Sequence, residues 1–220
     1  MNELLPDAKF RVVSPGRVNL LGEHVDYNQG IVMPAAIDRY VRLAANPRKD
    51  RLVSLKATDF DGEVVFSLDG LEQRADIDGH PLPQWALYPA GVAWSLKAGG
   101  MPLCGIDAVY TSDLPIGAGL SSSAAVELAF ALLWQSVAGW RLDRMQLAQA
   151  CQYAENRYVG VNCGLMDQFA CAHGVARHAL LFDVRSLSWQ PLPLPPETAI
   201  VIADSGIKRS LAGSAYNQRR

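Results

Sequence analysis

Several common signals are missing from this 220-residue chain, and each absence closes off a class of function. No two of its four cysteines (Cys104, Cys151, Cys163 and Cys171) stand in C-x-x-C spacing, which argues against a zinc ribbon or a dithiol redox pair. His173 and His178 fall in no metal-ligand pattern and receive no role. The net charge is only −2, so no positive excess is available to hold nucleic acid or an anionic membrane. The charge-free apolar run at 128–140 is too short to span a bilayer. The first seven residues lack the basic and then apolar character of a signal peptide. No internal repeat or low-complexity tract is present. The expectation is a soluble, reduced, cytoplasmic protein with neither nucleic acid nor membrane as a partner.

What is present is an ordinary globular composition, 50% hydrophobic and 19% charged, enough to bury a core in one large or two small domains. The most informative stretch is Leu114-Pro-Ile-Gly-Ala-Gly-Leu-Ser-Ser-Ser-Ala-Ala125, a glycine- and serine-rich loop running into an apolar helix. Gly117 and Gly119 permit a tight turn and a close backbone approach to a ligand. A helix starting near Ser122 would present unpaired N–H groups and the positive end of its dipole, a natural seat for phosphate. No lysine follows the glycines, so this is not a Walker loop. The dinucleotide fingerprint fits poorly too, because Asp143, the acid nearest the right distance, follows a helix rather than a strand. A plain serine N-cap explains the same residues. On the loop alone, both the cap and the anion seat stay open.

Around the loop, the pattern predicts mixed elements. Residues 9–14 and 17–21 read as two strands about a turn at Ser14-Pro-Gly16, and Val41, Leu52 and Val64 begin further strands. Residues 71–83 read as a loop, and a helix from Trp85 closes at Gly99-Gly100. Ile106–Tyr110 is a strand leading into the glycine loop. The helix from Ser122 to about Ala138 is apolar nearly all round and therefore deeply buried. Asp143 with Gln146 resembles a capping box for the next helix, on which Ala148, Cys151, Glu155 and Tyr158 share a face. Ala179–Phe182 and Ala199–Ala203 read as strands, and 210–220 as a helix. Strands and helices without strict alternation suggest an α+β fold.

Two carboxylates stand among apolar neighbours. Glu155 lies on an apolar helix face, where an ionised group is costly unless paired or bound to metal. Asp167 is the one charge between Cys163 and Ala172. A single carboxylate of this kind is more commonly salt-bridged or at a helix edge. Two of them beside an anion loop suggest phosphoryl transfer, which needs a phosphate cradle, an oxygen ligand for Mg²⁺ and a group to orient or deprotonate the acceptor. Glu23, His24 and Asp26 crowd hydrogen-bonding groups into four residues, as sugar recognition requires, although a solvated turn would look the same.

The segment Gly16-Arg-Val-Asn-Leu-Leu-Gly-Glu-His-Val-Asp-Tyr-Asn-Gln-Gly30 resembles the signature of galactokinases, within the GHMP small-molecule kinases. The loop at 114–125 resembles that superfamily's ATP loop. Cys163-Gly-Leu-Met-Asp-Gln168 and Lys208-Arg-Ser-Leu-Ala-Gly-Ser-Ala-Tyr216 match the galactokinase pattern in order and spacing. The resemblance implies a GHMP-kinase N-terminal domain, a ribosomal-protein-like mixed sheet with packed helices, over 1–185. The start of a truncated C-terminal lobe would occupy 186–220. It also implies transfer of the γ-phosphoryl group of ATP to the C1 hydroxyl of α-D-galactose.

In that reading Asp167 and Arg17 are catalytic, and Glu23, His24, Asp26, Gly164 and Tyr216 bind the sugar. Gly117, Ala118, Gly119, Leu120, Ser121, Ser122 and Ser123 wrap the triphosphate, with Trp85 beside the adenine. Ser123 and Glu155 hold Mg²⁺. The late glycine-rich motif of galactokinases is not found. The chain alone is therefore expected to be weakly active or inactive, with either a separate C-terminal half or no protein at all as its partner. A non-catalytic sugar and ATP binding protein and an N-acetylgalactosamine kinase are the alternatives.

Overall fold

The computed structural model describes residues 5–115 and 117–203. A five-stranded sheet, ordered β1-β3-β6-β4-β5, is built from β1 (Phe10–Asn19), β3 (Pro34–Pro47), β4 (Leu52–Ala57), β5 (Val64–Ser67) and β6 (Ile106–Ser112). All neighbours pair antiparallel except β4 and β6, which run parallel. A smaller sheet, β2-β7-β8, joins Ile31–Val32 to His178–Asp183 and Ser188–Pro193. Four helices complete the described chain: α1 (Gln84–Ala98), α2 (Ser122–Ala138), α3 (Arg144–Ala154) and α4 (Met166–His173). The fold is α+β, as the mixed pattern predicts. Among the described residues, no helix is long and apolar enough to cross a membrane.

Several expectations need correction. The strand-turn-strand read at 9–21 is one strand, β1, with an irregularity between Pro15 and Arg17. Proline lacks the N–H that a central strand would use, but β1 lies at the edge of its sheet, where that loss is tolerated. Residues 199–203 are not a strand, and Val201 is 88% exposed; no described strand pairs with them. Conversely, β8 is a strand that the proline-rich run 188–193 did not suggest. The stretch 162–172, read only as a short segment, contains α4. The helix expected at 210–220, and Tyr216 with it, lies outside the described residues.

The elements that position the site follow from local chemistry. α2 is buried nearly all round, with Phe130, Leu133 and Trp134 fully enclosed, so it runs through the core under β1 and β3. Gly139 ends it at φ 78°, a left-handed conformation favouring glycine. α3 begins at a complete capping box: the Asp143 side chain accepts from the Gln146 amide at 2.8 Å, and Gln146 Oε1 accepts from the Asp143 amide at 2.9 Å. Its far end loosens into a π-helical turn, Glu155–Val159, where the Gly160 N–H reaches back five residues to the Glu155 carbonyl at 2.9 Å. Such turns re-aim side chains and occur often at functional sites. Glu155 is its first residue.

Candidate active site

The glycine loop enters α2 without the serine cap that composition allowed. Gly117 and Gly119 have φ of 77° and 75°, and Ser121, the residue before α2, sits at φ 61°. The Ser121 side chain makes no capping bond, and its Oγ is buried with no hydrogen-bond partner. A buried hydroxyl without a partner at the open end of a helix suits an anion bound there. The opposite side of the loop, through Pro115, Ala118 and Leu120, lines a groove of about 650 Å³ shared with Asp38, Arg39 and residues 194–203; none of the carboxylates below lines it.

β1 lies directly against this loop. A side chain at Gly16 would meet Leu114 and come within 2.7 Å of the Leu120 carbonyl, so only glycine permits the approach. The Arg17 amide donates to that same carbonyl at 3.1 Å, and its Nη1 donates to the Gly119 carbonyl at 2.7 Å. The rest of the guanidinium turns to α4: Nε donates to Asp167 Oδ1 at 2.8 Å, and Nη2 donates to the same oxygen. Burial works against the Arg17 charge, but the adjacent Asp167 more than restores it, so its pKa is raised. One arginine thus ties the phosphate-loop candidate to the catalytic candidate.

The acidic segment folds over the same corner. Asp26 begins a single 3₁₀ turn, Asp26–Asn28, and is buried. Its pKa is raised, first by burial and then by the charge of Asp167. A side chain at Gly164 would collide with the Asp26 carboxylate and approach the Tyr27 amide at 2.7 Å, so the absent side chain is what seats Asp26 here. Glu23 accepts from Asn19 Nδ2 at 2.9 Å. His24 is exposed, at φ 61°, with Nδ1 2.9 Å from the Tyr27 hydroxyl. Arg17, Asp26, Gly164 and Asp167 are therefore one cluster, with Glu23 near enough to act on Arg17 electrostatically.

Glu155 is brought to the loop as well. It is buried, and desolvation followed by the charge of Asp167 pushes its pKa up to about 7. The Cys163 thiol hydrogen-bonds to it, 3.3 Å from Oε2, and the Ser123 hydroxyl is near enough to favour its charged form. A carboxylate and a hydroxyl at the start of a phosphate loop form the oxygen set that suits Mg²⁺, which takes one or two protein carboxylates and completes its shell from phosphate and water. Asp76, Asp78 and His80 also bring ligand atoms together, but in a turn where Asp76 already accepts from the Asp78 and His80 amides. Trp85 is not shown in contact with the loop; it stacks on Phe60 at 6.1 Å between centroids and tilts against Tyr110.

Two residues were not foreseen. Glu127 on α2 is fully buried, and Gln168, next to Asp167, donates its side-chain amide to Glu127 Oε2 at 3.0 Å and to Glu155 Oε2 at 2.6 Å. Burial and the neighbouring Glu155 raise the Glu127 pKa well above the usual carboxylate range. The available signal was that Glu127 is the one charge in an otherwise apolar helix.

Residues 88–175 match the GHMP kinases N terminal domain, and residues 3–47 match the galactokinase galactose-binding signature. A galactokinase of Roseiflexus sp. (strain RS-1) is 48% identical over 209 residues, 95% of this chain and 52% of that protein. One from Chloroflexus aggregans is 47% identical over 207 residues, 94% of this chain and 52% of that protein. The chain thus spans about half the length of the curated relatives it matches. Among solved structures, Lactococcus lactis galactokinase complexed with galactose superposes with a TM-score of 0.84 at 32% identity, over 99% of this chain and 56% of that one. A mevalonate kinase, at 15% identity and a TM-score of 0.65 over 86% of this chain and 57% of its own, shares the fold.

Proposed function

The chain belongs to the GHMP kinases, in their galactokinase branch, and from that premise we propose that it forms the N-terminal, substrate-holding part of an enzyme transferring the γ-phosphoryl group of ATP to the C1 hydroxyl of α-D-galactose. The observation that carries this reading is the position of Arg17, hydrogen-bonded at once to Asp167 and to the Gly119 carbonyl of the glycine loop. An acceptor hydroxyl held by Asp167 would lie where a phosphate cradled by that loop can reach it.

Each residue then has a task. Both bonds from Arg17 end on Asp167 Oδ1, which leaves Oδ2 to face the C1 hydroxyl and take or orient its proton. The bond from the sugar C1 oxygen to the γ-phosphorus forms as the bond from that phosphorus to the β,γ-bridging oxygen breaks, and ADP leaves. Arg17 orients the Asp167 carboxylate through its two hydrogen bonds and faces the charge developing on the phosphoryl group. Asp26, Glu23 and His24 hold other sugar hydroxyls, with Gly164 leaving room for Asp26; Tyr216 joins this set from outside the described residues. Loop residues 117–123 supply backbone N–H groups to the phosphates, with the Ser121 hydroxyl as a further donor. Trp85, with its neighbour Phe60, offers an aromatic face for the adenine. Ser123 and Glu155 would hold Mg²⁺, which when bound draws negative charge off the phosphates. The division into a domain over 1–185 and the start of a second lobe from 186, and cytoplasmic residence, belong to the same proposal.

Coupled ADP release from the purified chain with galactose, with N-acetylgalactosamine and without sugar tests this directly. The expected result is slow, galactose-dependent release that Asp167→Asn abolishes while nucleotide binding persists. A chain that binds neither galactose nor Mg²⁺-ATP would overturn the proposal. Faster release with N-acetylgalactosamine would change the acceptor, and binding of both ligands with no release in a full-length relative carrying these residues would favour a sensor.

A further inference from the structure

Resting on the reading of Glu155 as a cation ligand, we infer that Gln168 is a positioning residue, clamping Glu155 through a side-chain amide whose orientation is set by the buried Glu127. Two carboxylates, Glu127 on α2 and Glu155 at the end of α3, face the Gln168 side chain from different elements. The NH₂ group of Gln168 is the one turned toward both, and in the ionised state that takes a cation each carboxylate can only accept. That choice carries a visible cost: Gln168 Oε1 is buried without a partner, as is Glu127 Oε1. An amide left with an unsatisfied carbonyl is retained only where its donors are more valuable than its acceptor. Here both donors converge on the two glutamates, and the amide fixes Glu155 Oε2 at 2.6 Å.

The clamp acts at the site because of where its ends lie. Glu155 also lies near enough to the Ser123 hydroxyl, in the first turn of α2, to be influenced by it, while Gln168 holds its Oε2 at 2.6 Å. Gln168 directly follows Asp167 on α4. Glu127 lies one helical turn after Ser123 on α2, so the residue that orients the amide shares a rigid element with the other candidate cation ligand. Partners that orient a ligating carboxylate typically change metal affinity by about 10–100-fold when removed.

The test is Mn²⁺ binding in the presence of ADP, followed by electron paramagnetic resonance, on the intact chain and on Gln168→Met, Glu127→Met and Glu127→Gln. Galactose binding is measured in parallel. We expect about tenfold or greater loss of Mn²⁺ affinity in Gln168→Met and a smaller loss in Glu127→Met. Glu127→Gln retains an acceptor for the amide and should recover near-native affinity. The double methionine variant should be no worse than Gln168→Met, because both act through one amide. Mn²⁺ affinity within twofold of the parent in both folded methionine variants overturns the clamp, as does a Glu127→Gln variant as poor as Glu127→Met.

If both methionine variants fail to fold, the parent protein decides. A Gln168 side-chain amide that is protected from hydrogen exchange, and whose nitrogen resonance shifts on adding Mg²⁺ and ADP, supports the clamp. A rapidly exchanging or unshifted amide overturns it. A parent chain that binds no Mn²⁺ with ADP refutes the underlying cation site instead, a distinct outcome from a bound cation indifferent to Gln168.

Discussion

Asp167 and Gln168 are consecutive residues at the start of α4, yet they serve two carboxylate clusters of opposite character. On one side Asp167 is paired with the Arg17 guanidinium, is 27% exposed along its side chain, and sits at the mouth of the site. On the other, Glu127 and Glu155 are buried, and no ion pair among the described residues includes either. The first cluster has its counter-charge built in, in the guanidinium of Arg17. In the second, burial first and then a neighbouring carboxylate charge raise both pKa values, and a divalent cation arriving with nucleotide would supply the missing counter-charge. The first turn of α4 therefore serves a carboxylate already paired with an arginine and, through Gln168, two buried carboxylates without one.

The sharpest way to separate the two clusters is to neutralise each in turn. Asp167→Asn should lower galactose-dependent ADP release by about 100-fold or more, the usual scale for a general base, without changing Mn²⁺-ADP affinity. Equal losses in both measurements would erase the distinction. Gly164→Ala strikes the sugar side by pushing a methyl group into Asp26. A displacement of about 1 Å at a positioned group can cost up to about 100-fold, so galactose affinity should fall steeply while Mn²⁺-ADP binding persists. Unchanged galactose binding in this variant would remove Asp26 from the sugar site.

On the buried side the prediction concerns pH. Glu155, raised from 4.5 to about 7, favours its protonated form in the ligand-free fold. Its contribution to stability is therefore fully present below about pH 4.5 and is lost as pH rises through about 7. Glu155→Gln should stabilise the ligand-free chain above pH 7, on the order of 2 kcal/mol, and have little effect near pH 4.5; thermal melts across that range check both ends. The same variant should abolish the rise in Mn²⁺-ADP affinity expected as pH passes 7. A pH-independent change in melting temperature would mean that Glu155 is not the titrating group.

The smallest effect expected is at the other end of α3. Asp143→Ala removes the capping box and should cost about 1 kcal/mol of stability, read by chemical denaturation. Neither ligand affinity should change, because the cap lies ten or more residues before Glu155. A loss of Mn²⁺ affinity here would show that the buried cluster senses the register of the whole helix rather than its local clamp.

Much of this was legible from residues in order, for a physical reason. Local backbone chemistry depends on near neighbours, so the glycine turn at 117–119, the limits of α2 and the capping box at Asp143 follow from residue type and spacing. The galactokinase-like segments likewise marked Arg17, Asp26 and Asp167, and an apolar helix face marked Glu155, before any contact was known. What tertiary structure alone decided depends on residues far apart in the chain. Arg17 and Asp167 meet across 150 positions. β1 passes unbroken through Pro15 and Gly16 because it lies at a sheet edge against the loop, which a proline-glycine pair reads locally as a turn. Above all, a lone glutamate in an apolar helix says that something must satisfy it, but not what. Only the packing of α2, α3 and α4 sets Gln168 between Glu127 and Glu155, because burial and hydrogen-bond partners belong to the assembled core and not to any one segment.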